Sequence, residues 1–305
     1  MSEIENELND YVQRFVFDDL DARGCIVGLN ESISEIQQTH YYPPNLAKLL
    51  NEFVAAAVLL RDSIKVDADI TIQLRNSKDS AEKAISLLMA DCMSDRRVRA
   101  IAEYENELLP STSQLSLHSL TKGSVLTITI TPKEGERYQS IVPLEHNTLA
   151  ECLEDYFTRS EQLPTWFILL ANESQAVAIA LHALPAEKLQ DKDESQEAFL
   201  RLKMLANTLK QDEAFELQSQ SILTRLFHQE SCRIFNANEI QFGCVCTVEK
   251  SLNAIKSLGK EQVNELIAEQ AEQGKEGLFV DCHFCFQRYE FSESQIDKLF
   301  IHEVN

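Results

Sequence analysis

Two cysteine pairs, Cys244-x-Cys246 in FGCVCT and Cys282-x-x-Cys285 in DCHFCF, bracket the C-terminal stretch of the chain. Few side chains in residues 244–305 are large and apolar, so a unit built from them buries little surface and needs a staple to stay folded. Four thiols, two from each end, could serve as disulfides, as a redox dithiol, or as the closed tetrahedral site that zinc forms with Zn–S bonds of about 2.3 Å.

Compartment narrows this choice. MSEIENELNDY has no basic region running into an apolar one, so no signal peptide is expected. The longest apolar run, FVAAAVLL at 53–60, is far short of the ~20 residues that cross a bilayer. Both features imply a cytoplasmic protein, where eight cysteines point to metal binding or thiol chemistry rather than a disulfide framework. One Zn2+ on Cys244, Cys246, Cys282 and Cys285 is therefore expected, with His283 a bystander between two ligands.

A closed four-sulfur site leaves no position for water and suits structure or thiol chemistry, not hydrolysis. The sequence contains no GxGxxG, P-loop, HExxH or GxSxG motif, and its seven histidines are scattered, so no enzymatic activity is expected. A net charge of −21 repels phosphate backbones and anionic lipid, which argues against nucleic acid and membrane as partners.

At 305 residues the chain exceeds one ordinary core, and its pattern implies an α+β protein in three parts. Residues 1–185 read as an antiparallel-sheet and helix domain. PNLAKLLNEFVAAAVLLRDSIK follows Tyr42-Pro43-Pro44 and is apolar around much of a helix. DITIQLR, AISLLMADC, RRVRAIAEY, WFILLAN and AVAIALHAL read as strands, and GSVLTITITPKEGERYQSIVPL as two strands joined around Lys133-Glu134-Gly135. In NTLAECLEDYFTRS, Leu149, Cys152, Leu153, Tyr156 and Phe157 share one helical face. Residues 186–243 read as a charged helical linker with narrow apolar stripes: Phe199, Leu202, Leu205 and Leu209, then Leu223, Leu226 and Phe227. Residues 244–305 form the zinc unit, with a helix before Gly259, a second carrying Val263, Leu266 and Ile267, strands LFVDC and QRYEF, and a last helix opened by Ser292 and Gln295.

Bound thiolates are the nucleophilic form of cysteine, so oxidation competes with metal binding. Residues two apart in a strand have Cα atoms about 6.6 Å apart, at the edge of the bridging range, so Cys244–Cys246 closes only with bending, whereas Cys282–Cys285 closes in a turn. Spacing alone leaves a permanent structural zinc and a reversible switch equally open.

The cysteine pattern, together with ITITPKEGERYQSIVPLE (128–145), TLAECLEDYFTRSEQLPT (148–165) and DYVQRFVFDDLDARG (10–24), resembles the heat shock protein 33 family of redox-regulated bacterial chaperones. The resemblance implies a holdase that is inactive when reduced and zinc-bound. Oxidation releases the zinc, forms a disulfide within each pair, unfolds the zinc unit and loosens the linker, and the chaperone then holds unfolding client proteins, commonly as a homodimer. It also implies that Cys244, Cys246, Cys282 and Cys285 are both metal ligands and redox sensors, and that Cys25, Cys92, Cys152 and Cys232 are neither. This chain departs from the family's pattern in a longer interval between the pairs, in Thr247-Val248-Glu249 where Ser and Arg are usual, and in a glycine-free stretch at 76–95. The alternative is a zinc-ribbon protein that binds nucleic acid or another protein without redox switching.

Overall fold

From Leu49 to Ser63 no residue of α2 (Pro44–Ser63) is exposed. Pro44 starts this helix in the first turn, where a missing N–H is no loss. Burial around the circumference works because the helix packs on strands of two different sheets. Its polar residues are satisfied: Asn51 donates to the carbonyl of Asn172 at 2.7 Å, and Asp62 accepts from Arg14 at 2.7 Å. The computed structural model describes residues 9–76, 84–109, 117, 124–160, 162–189 and 191–300. Most of the glycine-free stretch at 76–95 that sets this chain apart is covered, but residues 77–83 lie outside the described residues.

Two compact units result, residues 1–243 and 244–305. In the first, one sheet has the order β10 (Cys232–Ile234), β1 (Tyr11–Phe17), β2 (Ala22–Leu29), β9 (Ala176–Ala183), β8 (Thr165–Ala171), with β11 (Asn238–Glu239) also paired to β1. The other runs β12 (Gln241–Phe242), β5 (Arg97–Tyr104), β4 (Ile85–Cys92), β3 (Ala68–Asn76), β6 (Ser124–Pro132), β7 (Tyr138–Val142). Pairing is antiparallel apart from β12 with β5. The α+β class expected from the alternating patterns is therefore what the chain adopts.

Helix α1 (Glu31–Thr39) is capped from a distance, with Asp10 accepting from the backbone N–H of Asn30, Glu31 and Ser32 at 2.6, 2.9 and 2.6 Å. Helix α3 (Leu149–Ser160) opens with a reciprocal cap between Thr148 and Glu151, and buries Leu149, Cys152, Leu153 and Tyr156 as their spacing predicts. Helices α4 (Lys192–Ala206), α5 (Gln211–Glu216) and α6 (Ser219–Phe227) lay their stripes on the outer face of the first sheet. There Phe199, Leu202, Leu223, Leu226 and Phe227 meet Phe15 and Phe17, with the Phe17 and Phe227 rings edge to face at 5.1 Å. After α6 the chain enters β10, β11 and β12, strands of two or three residues, too short for alternation to reveal.

The second unit contains α7 (Val248–Leu258), α8 (Lys260–Glu272), the hairpin β13 (Leu278–Asp281) and β14 (Arg288–Phe291), and α9 (Glu293–Phe300). Gly259 joins α7 to α8 at φ +82°, a conformation that costs glycine little. Ser292 and Gln295 make the expected capping contact, the backbone N–H of Ser292 donating to Gln295 Oε1 at 2.9 Å. The buried apolar set is small: Ile255, Val263, Leu278, Phe291, Ile296 and Phe300.

Candidate metal centre

Each cysteine pair sits where hydrogen bonds fix a change of chain direction. Cys244 and Cys246 precede α7, whose N-terminus is capped by Thr247 accepting from the N–H of Lys250 at 3.2 Å. Lys250 Nζ donates back to the carbonyl of Val245, between the two cysteines, at 2.9 Å. The second pair occupies the turn of the β13–β14 hairpin, whose last paired residues, Asp281 and Arg288, form a two-pronged ion pair at 2.7 Å. Within that turn the N–H of Cys282 donates to the carbonyl of Gln287 at 2.9 Å, and the N–H of Phe286 to the carbonyl of Cys282 at 2.8 Å. Phe286 adopts φ +56°, the left-handed region that a bulky side chain rarely enters.

These two turns bring the four sulfurs together. Cys244 Sγ lies 3.6 Å from Cys282 Sγ, Cys246 Sγ lies 3.5 Å from Cys285 Sγ, and all four lie within 4.8 Å of one another. A tetrahedron with Zn–S bonds of ~2.3 Å has edges of about 3.8 Å, so the cage is close to the size that a zinc ion requires. The separations are far above the ~2.05 Å of a disulfide, so the cysteines stand as thiols. His283 contributes no atom to this cluster.

Charge explains why such a cage wants a cation. Burial, helped by the contact with Cys244 and opposed by backbone hydrogen bonds from Phe284 and Cys285, raises the pKa of Cys282; burial, with Cys246 and the other site thiols, raises that of Cys285. A divalent ion among the sulfurs reverses that balance, because a coordinating thiol gives up its proton. An all-sulfur donor set suits zinc and disfavours magnesium or calcium.

The other cysteines stand apart. Cys25, Cys92 and Cys152 belong to the core around α2, and Cys232 lies partly buried in β10. Burial pushes the Cys92 thiol up to about 12 and the Cys232 thiol up to about 11, which leaves them poor nucleophiles. Three neighbours of the cage escaped the sequence reading: Lys250, Phe286, and Tyr289, whose contact with Cys246 pushes its phenol up to about 12. Lys250 had a detectable signal, standing directly after the Thr247-Val248-Glu249 departure, whereas nothing in the letters marks the backbone twist at Phe286.

Comparison with known proteins agrees with this architecture. The family model described as Hsp33 protein matches residues 10–292. A 33 kDa chaperonin of Pseudomonas fluorescens (strain Pf0-1) is 40% identical over 291 residues, covering 95% of this chain and 93% of the relative. One from Pseudomonas aeruginosa (strain LESB58) is 42% identical over 292 residues, covering 96% and 95%. Among solved structures, the 33 kDa chaperonin (heat shock protein 33 homolog) of Thermotoga maritima superposes with a TM-score of 0.76 at 22% identity, covering 95% of this chain and 97% of that one.

Proposed function

Because this chain belongs to the Hsp33 family, we propose that it is a holdase chaperone switched on by oxidation, with no catalytic turnover. The observation that carries the reading is a four-sulfur cage in a unit whose other core, among the described residues, is six buried apolar side chains. In the reduced form Cys244, Cys246, Cys282 and Cys285 hold one Zn2+, which supplies a structural cross-link and keeps the sulfurs as thiolates.

The switch follows from what those sulfurs do next. Hydrogen peroxide takes two electrons from a cysteine pair; one S–S bond forms, and the O–O bond breaks to give two waters, with the two protons supplied by the thiols or by solvent. Bonds within each pair, Cys244–Cys246 and Cys282–Cys285, are the pairing that the family implies. Either bond requires the sulfurs to close from the separations of the reduced cage, so the local turns must give way. Sulfur in a disulfide is a poor ligand, and the second unit then retains a core too small to hold it folded.

Residues 186–243 act as the linker in this scheme. Its helices carry many charges and cover Phe15 and Phe17 with narrow stripes, so its stability is modest and its opening exposes apolar surface on both sides. That surface holds unfolding client proteins, with a homodimer as the oxidised form. A charge of −21 keeps the complexes dispersed and disfavours nucleic acid and membrane as partners, consistent with a cytoplasmic protein. No helix among the described residues is long and apolar enough to cross a membrane.

The test measures zinc per chain, free thiols and suppression of client aggregation before and after treatment with peroxide plus heat, or with hypochlorite. Oxidation is expected to release the zinc, consume four thiols and start protection. If the reduced, zinc-loaded protein protects a client as well as the oxidised one, the switch is refuted.

A further inference from the structure

A cavity of about 300 Å³ lies in the first unit beside the last turn of α2, where the helix ends and stops filling the space between the two sheets. One wall is aliphatic, built from Leu60 and Ile64 at the helix end and Ile70, Ile128 and Ile130 on β3 and β6. Strand register builds the polar side. Arg23 on β2 is paired with His182 on β9, and His182 with Thr165 on β8, so the three side chains rise from one face of the sheet.

Two of these polar groups are already occupied. His182 is buried, with its ring nitrogens 3.0 Å from Ser63 Oγ and 3.1 Å from Thr165 Oγ1. Burial, reinforced by the charge of Arg23, holds its pKa down to about 4, so it is neutral near pH 7. Arg23 is different: it is only partly buried, and its guanidinium makes no ion pair or hydrogen bond with any described residue. No Asp or Glu among the described residues lines the cavity, and the nearby carboxylate of Asp62 is held by Arg14 at 2.7 Å. An unanswered guanidinium at the edge of an aliphatic pocket is a mismatch that an amphiphilic anion resolves.

We infer that this cavity binds one single-chain aliphatic carboxylate, with its tail among Leu60 and the isoleucines and its head group on the Arg23 guanidinium. The planar fork of arginine matches a carboxylate with two parallel hydrogen bonds, and the aliphatic wall takes the chain. Small-molecule sites span ~300–1,000 Å³, and the small end of that range suits a medium chain such as octanoate rather than a long-chain lipid. A bare phosphate would leave the aliphatic wall unused.

The experiment titrates the reduced, zinc-loaded full chain, labelled on its isoleucine methyls, with octanoate and separately with octanol, both below their aggregation limits. Octanoate is expected to saturate at one per chain, shifting Ile64, Ile70, Ile128 and Ile130, and to bind at least about tenfold more tightly than octanol, which lacks the charge. Arg23→Gln should reduce octanoate to the affinity of octanol. Ile130→Phe should weaken both compounds by filling the pocket; if that variant misfolds, Arg23→Gln decides alone. Shifts spread across the chain without saturation, equal binding of the two compounds, or octanoate binding unchanged in Arg23→Gln would each overturn the assignment.

Discussion

The N–H of Phe286 donates to the carbonyl of Cys282 across 2.8 Å, and Phe286 holds φ at +56° to reach it. The hairpin turn that presents Cys282 and Cys285 is therefore made with an L-residue in a conformation that costs it about 1–2 kcal/mol. The side chain is 55% exposed, so little burial offsets that cost.

Replacing Phe286 with glycine should therefore strengthen the second unit. Glycine removes the strain but returns about 0.5–1 kcal/mol through the greater freedom of the unfolded chain, leaving a net gain of up to about 1.5 kcal/mol. Denaturant unfolding of the reduced, zinc-loaded protein, followed by a probe in residues 244–305, should show a raised midpoint for Phe286→Gly. A lowered midpoint would mean that the ring supports the fold in a way its exposure conceals.

Gly277 should tolerate far less. It holds φ +95°, and a Cβ there would stand 2.5 Å from the carbonyl oxygen of Phe291, backbone that cannot swing aside because Leu278 pairs with Phe291. Gly259 shares the positive φ at +82° but has nothing within 4 Å of its would-be Cβ. Gly277→Ala should lower the stability of the second unit by more than the roughly 1 kcal/mol expected for Gly259→Ala. Equal losses measured by thermal unfolding would show that the hairpin yields.

Single cysteine replacements separate ligands from bystanders. Cys285→Ser removes a cage sulfur and should weaken zinc retention against a chelator by more than the ~10–100-fold typical of outer-shell changes. Cys232→Ser, in β10 and outside the sulfur cluster, should retain one zinc per chain. A zinc-loaded Cys285→Ser protein with normal chelator resistance would remove Cys285 from the ligand set.

Stability should also depend on pH through Glu154. Burial raises its pKa to about 7 although its carboxylate accepts the N–H of Phe167 at 3.0 Å. The folded value lies above the ordinary carboxylate value of 4.5, so the contribution is fully present below pH 4.5 and is lost as pH rises through about 7. Glu154→Gln keeps the acceptor and abolishes the titration. It should match the wild-type protein near pH 4 and exceed it at pH 8 by about 1 kcal/mol after allowance for solvent screening, as read by urea unfolding. A difference independent of pH would exclude Glu154 as the titrating group.

Much of the fold was legible in the letters because it is locally encoded. The apolar circumference of α2, the alternation in β3 and β7, the apolar runs of β8 and β9, the Thr148–Glu151 and Ser292–Gln295 caps and the stripe Leu223–Leu226–Phe227 each declare themselves within a few residues. The strands β1 and β2 were not read from the sequence, and β2 is buried at nearly every position and does not alternate. The two- and three-residue strands β10, β11 and β12 exist only because β1 and β5 offer open edges.

For the candidate site, local chemistry alone specified which side chains matter: four soft donors in a segment too poor in apolar bulk to fold without help. Their convergence is a different kind of fact. Cys244 and Cys282 are 38 positions apart, and no pattern in one dimension places their sulfurs 3.6 Å from each other. That distance depends on the packing of α7, α8 and the hairpin around Val263 and Phe291, just as the juxtaposition of Arg23 and His182 depends on the register between β2 and β9. Spacing sets what a residue is able to do, while long-range packing sets what stands beside it, because contacts between distant segments are made by the whole fold at once.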